Sequence, residues 1–466
     1  MVKNKVGAFA LCAVLPIFLV VAPPARAAEA FQIVPRPLAQ NARPKPDETP
    51  EQKEDRRFKQ INVQMNVLLG AHDYDAIEKI VADWQAQYKA GQLSADDYFN
   101  ALAWIAPTQA GKGMVDEAVA WTKARPNAYV AWYTLGVLYG SIAWEERGRK
   151  YAAETTEAQF DAMTRYAGLA REAFLRSLKV GADPAPTYSQ MIRLAAITPH
   201  RGPSMKQRLK AVALVVREQL GTSSAQQRFC PAKGAMGGEF DTAREEQLFY
   251  LCASLKRDPD ATLPFGHFVM FNSPRWGGDY ALLGAVLAEI EQTRRPSPRA
   301  LGEMRATLLH RMAIDAYDLQ ADYERYVQLT LQAFDAAPSG THVAWLYGAA
   351  DTARDTLKNK ESARAIYNKI IGYRPGEAQA IAGIGWLDEE AGDLKGYMNG
   401  MIAAGTLGMF EAQNNVGYYY MVGQRGLPRD LQQARAWLVL AADQGFAHAR
   451  EKIAVVDALI AKEAKK

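Results

Sequence analysis

From about Phe58 to the last residue, apolar side chains return every three or four positions and almost never every second one. That period buries one stripe of a helix and gives a sheet no face to pack. Residues that satisfy the first orphaned amides of a helix mark where segments begin. Ser94 with Asp97, Ser204 with Gln207 and Thr242 with Glu245 each set a cap three residues before a carboxylate or amide. Ser297 precedes Pro298, which suits the first helical position. Breaks of Gly, Pro and Asp separate segments of roughly ten to twenty residues, about eighteen helices in all. The expected class is all-α.

The helical text also repeats itself. Trp132, Leu135, Gly136 and Tyr139 stand at W-x2-L-G-x2-Y spacing, with Pro126 before them. Gly136 lets a partner helix approach its backbone, and the three large side chains fill the space around that contact. Ala363, Tyr367, Ile370 and Pro375 supply small, aromatic, apolar and proline positions, and Gly385 falls where the next glycine belongs. Pro338 and Gly348 hold the same relation one unit earlier, 37 residues separating Pro338 from Pro375. This grammar resembles the tetratricopeptide repeat, with its period of about 34 residues.

The segment AQNNVGYYYMVGQRGLPRDLQQARAWLVLAADQGFAHAR carries Ala412, Gly417, Gly423, Gly426, Pro428, Asp430, Ala434, Trp437, Ala441, Ala442, Gly445 and Ala449. It resembles the Sel-like repeat, a tetratricopeptide relative with a longer inter-helix loop, here one residue longer than the commonest form. From about Leu68 to Ile290, the runs LLGAHDYDAIEKIVADWQAQY, AYVAWYTLGVLYGSIAWEERG and SPRWGGDYALLGAVLAE resemble an exported bacterial family known as a domain of unknown function and often followed by Sel-like repeats. That resemblance implies a helical fold and export, and no activity. The expected architecture is an α-α superhelical solenoid. Residues 58–296 form the helical domain with tetratricopeptide-like repeats, and 297–466 the tetratricopeptide and Sel-like part. Between Tyr139 and Ala170 the helical text is longer than a plain repeat, and residues 184–296 keep the pattern only loosely.

Ahead of this lies text of another kind. Lys3 and Lys5 precede an apolar run, Val6 to Ala22, and a small-x-small ending at Ala25-x-Ala27. This is the form of a signal peptide cleaved between Ala27 and Ala28, giving a periplasmic or secreted product. The rival, an uncleaved anchor, has Pro16 inside the run against it. No later stretch is apolar enough to span a bilayer. Residues 28–57, with Pro35, Pro37, Pro44, Pro46 and Pro50, read as a flexible proline-rich linker. Removal of Lys3, Lys5 and Arg26 takes the formal charge from +4 to about +1, so there is no electrostatic case for nucleic acid. Cys230 and Cys252 are then the only cysteines of the exported protein, and export favours a disulfide between them over two separate buried thiols.

Chemistry-bearing motifs are scarce. The six histidines, His72, His200, His267, His310, His342 and His448, share no metal-ligand spacing, and no nucleophile elbow or phosphate loop occurs. No cofactor or metal is expected. Gly234, Gly237 and Gly238 lack the strand-to-helix setting of a phosphate loop and read as a connector. Glu361-Ser362 has the residue types of a lytic transglycosylase acid, but it opens a repeat helix and lacks the downstream motif of those enzymes. Trp276-Gly277-Gly278 admits two readings: an exposed recognition point with Arg275, or a Trp anchored in a neighbouring helix pair before a glycine turn.

Two functions follow from different classes. The first is a non-catalytic scaffold or adaptor that takes a peptide or protein on a concave helical surface. The other is a cell-envelope enzyme, or a subunit of one, acting on glycan through two carboxyl groups within ~10 Å in residues 184–296. Carrying the register of the first helices forward puts Tyr133, His342, Trp345, Trp386, Glu389, Asn414 and Tyr418 on the concave side. Those positions are the expected partner-binding set.

Overall fold

The computed structural model describes residues 42–43, 45–105, 111–148, 154–181, 185–198, 200, 240 and 242–465. The expected signal segment 1–27 with its expected cleavage site, the expected Ser204 cap, Cys230, Gly234, Gly237 and Gly238 lie outside them. Nineteen α-helices and no strand occur among the described residues. The first seven are α1 (Pro50–Gly70), α2 (Tyr74–Lys89), α3 (Ala95–Ala103), α4 (Val115–Ala124), α5 (Tyr129–Arg147), α6 (Glu157–Val180) and α7 (Ala185–Ala195). Next come α8 (Ala243–Arg257), α9 (Leu263–Asn272), α10 (Tyr280–Gln292) and α11 (Pro298–Gln320). The last eight are α12 (Tyr323–Ala336), α13 (Val343–Asp351), α14 (Lys360–Tyr373), α15 (Ala378–Glu390), α16 (Leu394–Thr406), α17 (Phe410–Val422), α18 (Leu431–Asp443) and α19 (Ala447–Glu463).

Helix starts follow local chemistry. Ser94, Thr242 and Ser297 accept from the amides of Asp97, Glu245 and Ala300 at 3.1–3.2 Å. Each bond satisfies one donor the helix leaves open, and such caps contribute about 1 kcal/mol. The expected linker ends earlier than its composition implies. Thr49 and Gln52 form a reciprocal capping box over α1, with Pro50 at the first helical position, so helix replaces linker from Pro50 onward. Nor does the described part of that linker hang free. The Arg43 amide donates to Thr406 O at 2.9 Å, and Gln413 Nε2 donates to Arg43 O at 2.8 Å.

Consecutive helices pack as pairs: α5 on α6, α11 on α12, α15 on α16, α17 on α18, and each pair on the next. The molecule is an all-α helical repeat solenoid. Units bury most of their apolar stripe against the helices beside them in sequence. Glycines set the closest approaches. A Cβ on Gly136 would lie 2.5 Å from the Phe174 ring, so α5 and α6 meet through that missing side chain. A Cβ on Gly417 would meet Leu438 of α18 at 2.8 Å in the same way.

Three contiguous apolar cores result. The first runs from Met65 to Leu308, the second from Ala313 to Leu387 and the third from Ala378 to Val456. Helix α11 is shared, since Met304 and Leu308 face the first core while Ala313 and Ala316 face the second. The division read at 296/297 therefore falls in the loop before a helix that joins the two parts. Among the described residues, no helix is long and apolar enough to cross a membrane.

Candidate functional site

The expected concave residues come from the first helices of successive pairs, so their fate depends on what covers each helix. Tyr133 is fully buried. Its ring packs on Phe174 at 6.1 Å, and Gln190 of α7 donates to its hydroxyl at 3.5 Å. Burial pushes its pKa well up. Helix α5 is apolar nearly all round, and α7 crosses the face that a plain repeat leaves open. Tyr133 is therefore a core residue, and its assignment to an open surface is corrected. Asn414 is corrected too: it is buried, accepting from Lys452 Nζ of α19 at 3.0 Å.

His342 and Trp345 form the densest aromatic contact of the set. Trp345 lies between two imidazoles, His342 at 3.7 Å and His310 at 3.8 Å between ring centroids, all three rings nearly parallel. His342 is buried, and its Nδ1 donates to Ala337 O at 2.7 Å, which leaves Nε2 toward Glu303 at 3.6 Å. Burial, the His342 charge and Arg311 push the His310 pKa down to about 4. Burial raises the Glu303 carboxyl, His342 and Arg299 oppose that rise, and Asp96 adds to it. The stack holds a neutral imidazole against an indole and fixes the indole in place.

Trp386 is half-buried on α15, and Tyr418 is 37% exposed on α17, edge-on to Tyr419. Glu389 is not a free recognition group, because Arg425 reaches it at 2.8 Å. The Arg425 guanidinium also lies over the rings of Tyr397 and Tyr419, at 5.5 and 5.6 Å. Arg425 occupies the lengthened loop of the last repeat and adopts a left-handed backbone. That loop reaches back to the preceding first helix. Of the expected set, three aromatics on α13, α15 and α17 stay at least partly open: Trp345, Trp386 and Tyr418. Sequence reasoning missed His310, Glu303 and Arg425. His310 and Glu303 lie two turns apart on α11, a spacing that puts both on one face.

Other flagged motifs have structural roles. Trp276 packs edge-on against Trp144 and Phe271, at 5.7 and 5.1 Å, while Arg275 pairs with Asp318 at 2.6 Å. A Cβ on Gly278 would strike the Asn272 carbonyl, so the turn requires glycine there. Glu361 is exposed in the first turn of α14, where the Asn359 side chain caps the amide of Ser362. Glu246 is buried between Arg171 at 2.6 Å and His200 at 2.8 Å. Cys252 is disulfide-bonded; Cys230, its expected partner, lies outside the described residues. No group of three or more metal-ligating side chains converges among the described residues.

Comparison with known families places a Sel1 repeat at residues 410–446, and residues 61–202 match the domain of unknown function DUF4034. No curated protein matches the sequence. Among solved structures, the protein is similar to c5321, a protective antigen present in uropathogenic Escherichia coli strains and displaying an SLR fold. The identity is 16%, the match covers 82% of this protein and 72% of that one, and the TM-score is 0.30. It is also similar to the TPR domain of P58(IPK), at 11% identity over 84% of this protein and 100% of that one, with a TM-score of 0.22. The solenoid architecture stands on the protein's own helix pairs and not on these two likenesses.

Proposed function

We propose that this protein is an exported, non-catalytic scaffold that holds a protein or peptide partner against the row Trp345, Trp386 and Tyr418. One observation carries the reading: three large aromatics stay partly open on successive first helices. Their neighbours are close-packed, and half-open aromatics beside polar groups suit protein capture. The Sel1 repeat at the same end agrees with a role in protein interaction. The basic, apolar and Ala25-x-Ala27 start, together with the disulfide at Cys252, supports a periplasmic or secreted location, with Cys230 as the other half of that disulfide. A nearly neutral exported protein gives nucleic acid no purchase.

Among the described residues, no observation favours the glycan-enzyme reading. Glu246, a buried carboxylate of that region, is held by Arg171 at 2.6 Å and by His200 at 2.8 Å, contacts that suit a structural anchor. The test is photo-crosslinking in cell envelopes from the full-length protein, with the crosslinker at Trp386, at Tyr418, or at exposed Tyr373 on α14. One adduct shared by the first two positions and absent from the third supports the scaffold. Equal labelling at all three positions, or none, refutes it.

A further inference from the structure

A narrow pocket of about 20 Å³ lies between α5 and α7, with Phe174 of α6 also lining it. Ser141 and Trp144 line it from one side, Gln190 and Arg193 from the other. Each pair is three residues apart and so lies on one helix face. Arg193 is largely buried, and its guanidinium donates to Gln190 Oε1 at 3.1 Å. No carboxylate pairs with it among the described residues. Other arginines of similar burial do not share that state. Arg171, Arg311, Arg354, Arg374 and Arg425 each have a carboxylate oxygen between 2.6 and 3.7 Å away.

A guanidinium taken from water without a counter-ion is costly. That cost shows in its surroundings: burial lowers the Arg193 pKa, and His267 is pushed down to about 3, first by its own burial and then by Arg193. The planar fork has N–H donors beyond the one given to Gln190, and its geometry matches a carboxylate. Trp144 supplies an apolar wall, and its ring continues into Phe271 at 5.5 Å.

We propose that the pocket between α5 and α7 binds a carboxylate of a protein or peptide, with Arg193 as counter-charge, Ser141 as a further donor and Trp144 as the wall for the attached apolar group. The chemistry is that of a singly charged, planar anion, because one unpaired cation faces a narrow space. Such a group comes from the C-terminus of a polypeptide or from an Asp or Glu side chain. The proposal rests on the scaffold reading for its class of partner but uses a different face, so each fails by its own test.

The experiment uses the full exported protein and three short peptides: one ending in a leucine with a free carboxylate, the same peptide amidated, and an amidated peptide with one internal aspartate. Binding is read by ligand-observed NMR, against wild type, Arg193→Lys and Arg193→Met. The expected result is binding of one carboxylate peptide at least about tenfold tighter than the amidated control, reduced in Arg193→Lys and lost in Arg193→Met. Which peptide binds identifies the source of the carboxylate. The Arg193→Met variant should unfold at no lower urea concentration than wild type, since an unpaired charge has been removed. Equal or absent binding of all three peptides to wild type overturns the proposal. So does a marked drop in the urea midpoint of Arg193→Met, which would make the arginine a structural support.

Discussion

The imidazole of His342 lies on the indole of Trp345, ring centroids 3.7 Å apart and planes 17° from parallel, and the imidazole of His310 covers the opposite face. Both faces of the indole are engaged while part of its edge stays open. Trp345→Ala should therefore cost about 2 kcal/mol, less than a wholly buried Trp and more than an exposed one. Trp386 is half-buried with no such stack, and Trp386→Ala should cost about 1 kcal/mol. Urea midpoints measure both. A loss of about 3–5 kcal/mol in each would place both rings in the core and remove the binding row.

The same stack makes stability depend on pH. His310 titrates at about 4 in the fold against 6.5 in the unfolded state, with burial as the first cause, then His342 and Arg311. Between those values the unfolded state binds more protons than the folded one. Stability is thus complete above about pH 6.5 and falls as pH drops toward 4. From pH 7 to pH 5 the His310 share of this loss is about 2 kcal/mol. His267, at about 3, acts in the same direction. His310→Gln should lose less stability over that interval than wild type, by urea titration at the two pH values. Parallel losses would mean that His310 titrates as an exposed imidazole.

Gly136 and Gly168 separate the two effects of glycine in a helix. A Cβ on Gly136 meets the buried Phe174 ring at 2.5 Å, and that ring has no room to retreat. Gly136→Ala should lose about 2 kcal/mol, because overpacking outweighs the helix-propensity gain. Gly168 of α6 is exposed, with nothing within 4 Å of its would-be Cβ. Gly168→Ala should gain up to about 1 kcal/mol. Thermal denaturation of both variants shows the opposite signs, and two changes of the same sign would contradict the α5–α6 contact.

What is legible in the sequence is local. Ser94, Thr242 and Ser297 act within four residues of themselves, so their caps can be read without knowing the fold. The register of Gly136 and Gly417 is legible because a helix fixes which side chains share a face. What covers that face is set by distant helices. Tyr133 reads as open because nothing near it announces α7, about sixty residues on, which crosses it. Asn414 is misplaced for the same reason, its neighbour Lys452 being on α19. The start of α1 escapes a reading that weighs proline content over cap chemistry, although Thr49-Pro50-Glu51-Gln52 spells a cap. Glu389 looks free because the lengthened loop that brings Arg425 back to it has no period to follow.

A contact spanning nearly the whole described length gives the final prediction. Gln413 is fully buried, and its amide donates to Arg43 O at 2.8 Å and to Gly405 O at 3.0 Å. Its Oε1 accepts from Gln444 at 2.9 Å, so one side chain joins α17, the end of α18 and a segment 370 residues earlier. The Arg43 amide completes the join through Thr406 O. Gly408 makes room for it: its φ is +99°, and a Cβ there would strike the backbone of Lys45 and Pro46. Gln413→Leu leaves two carbonyls and the Gln444 amide without this partner, at a cost of about 1–3 kcal/mol. Gly408→Ala blocks the segment directly. In both variants the Arg43 amide should exchange its hydrogen at least about tenfold faster than in wild type, while amides inside α17 and α18 keep most of their protection. Hydrogen exchange followed by mass spectrometry on a fragment covering residues 42–49 reads this. An Arg43 amide already exchanging at the unfolded-state rate in wild type would show that the N-terminal segment does not dock on the last repeat.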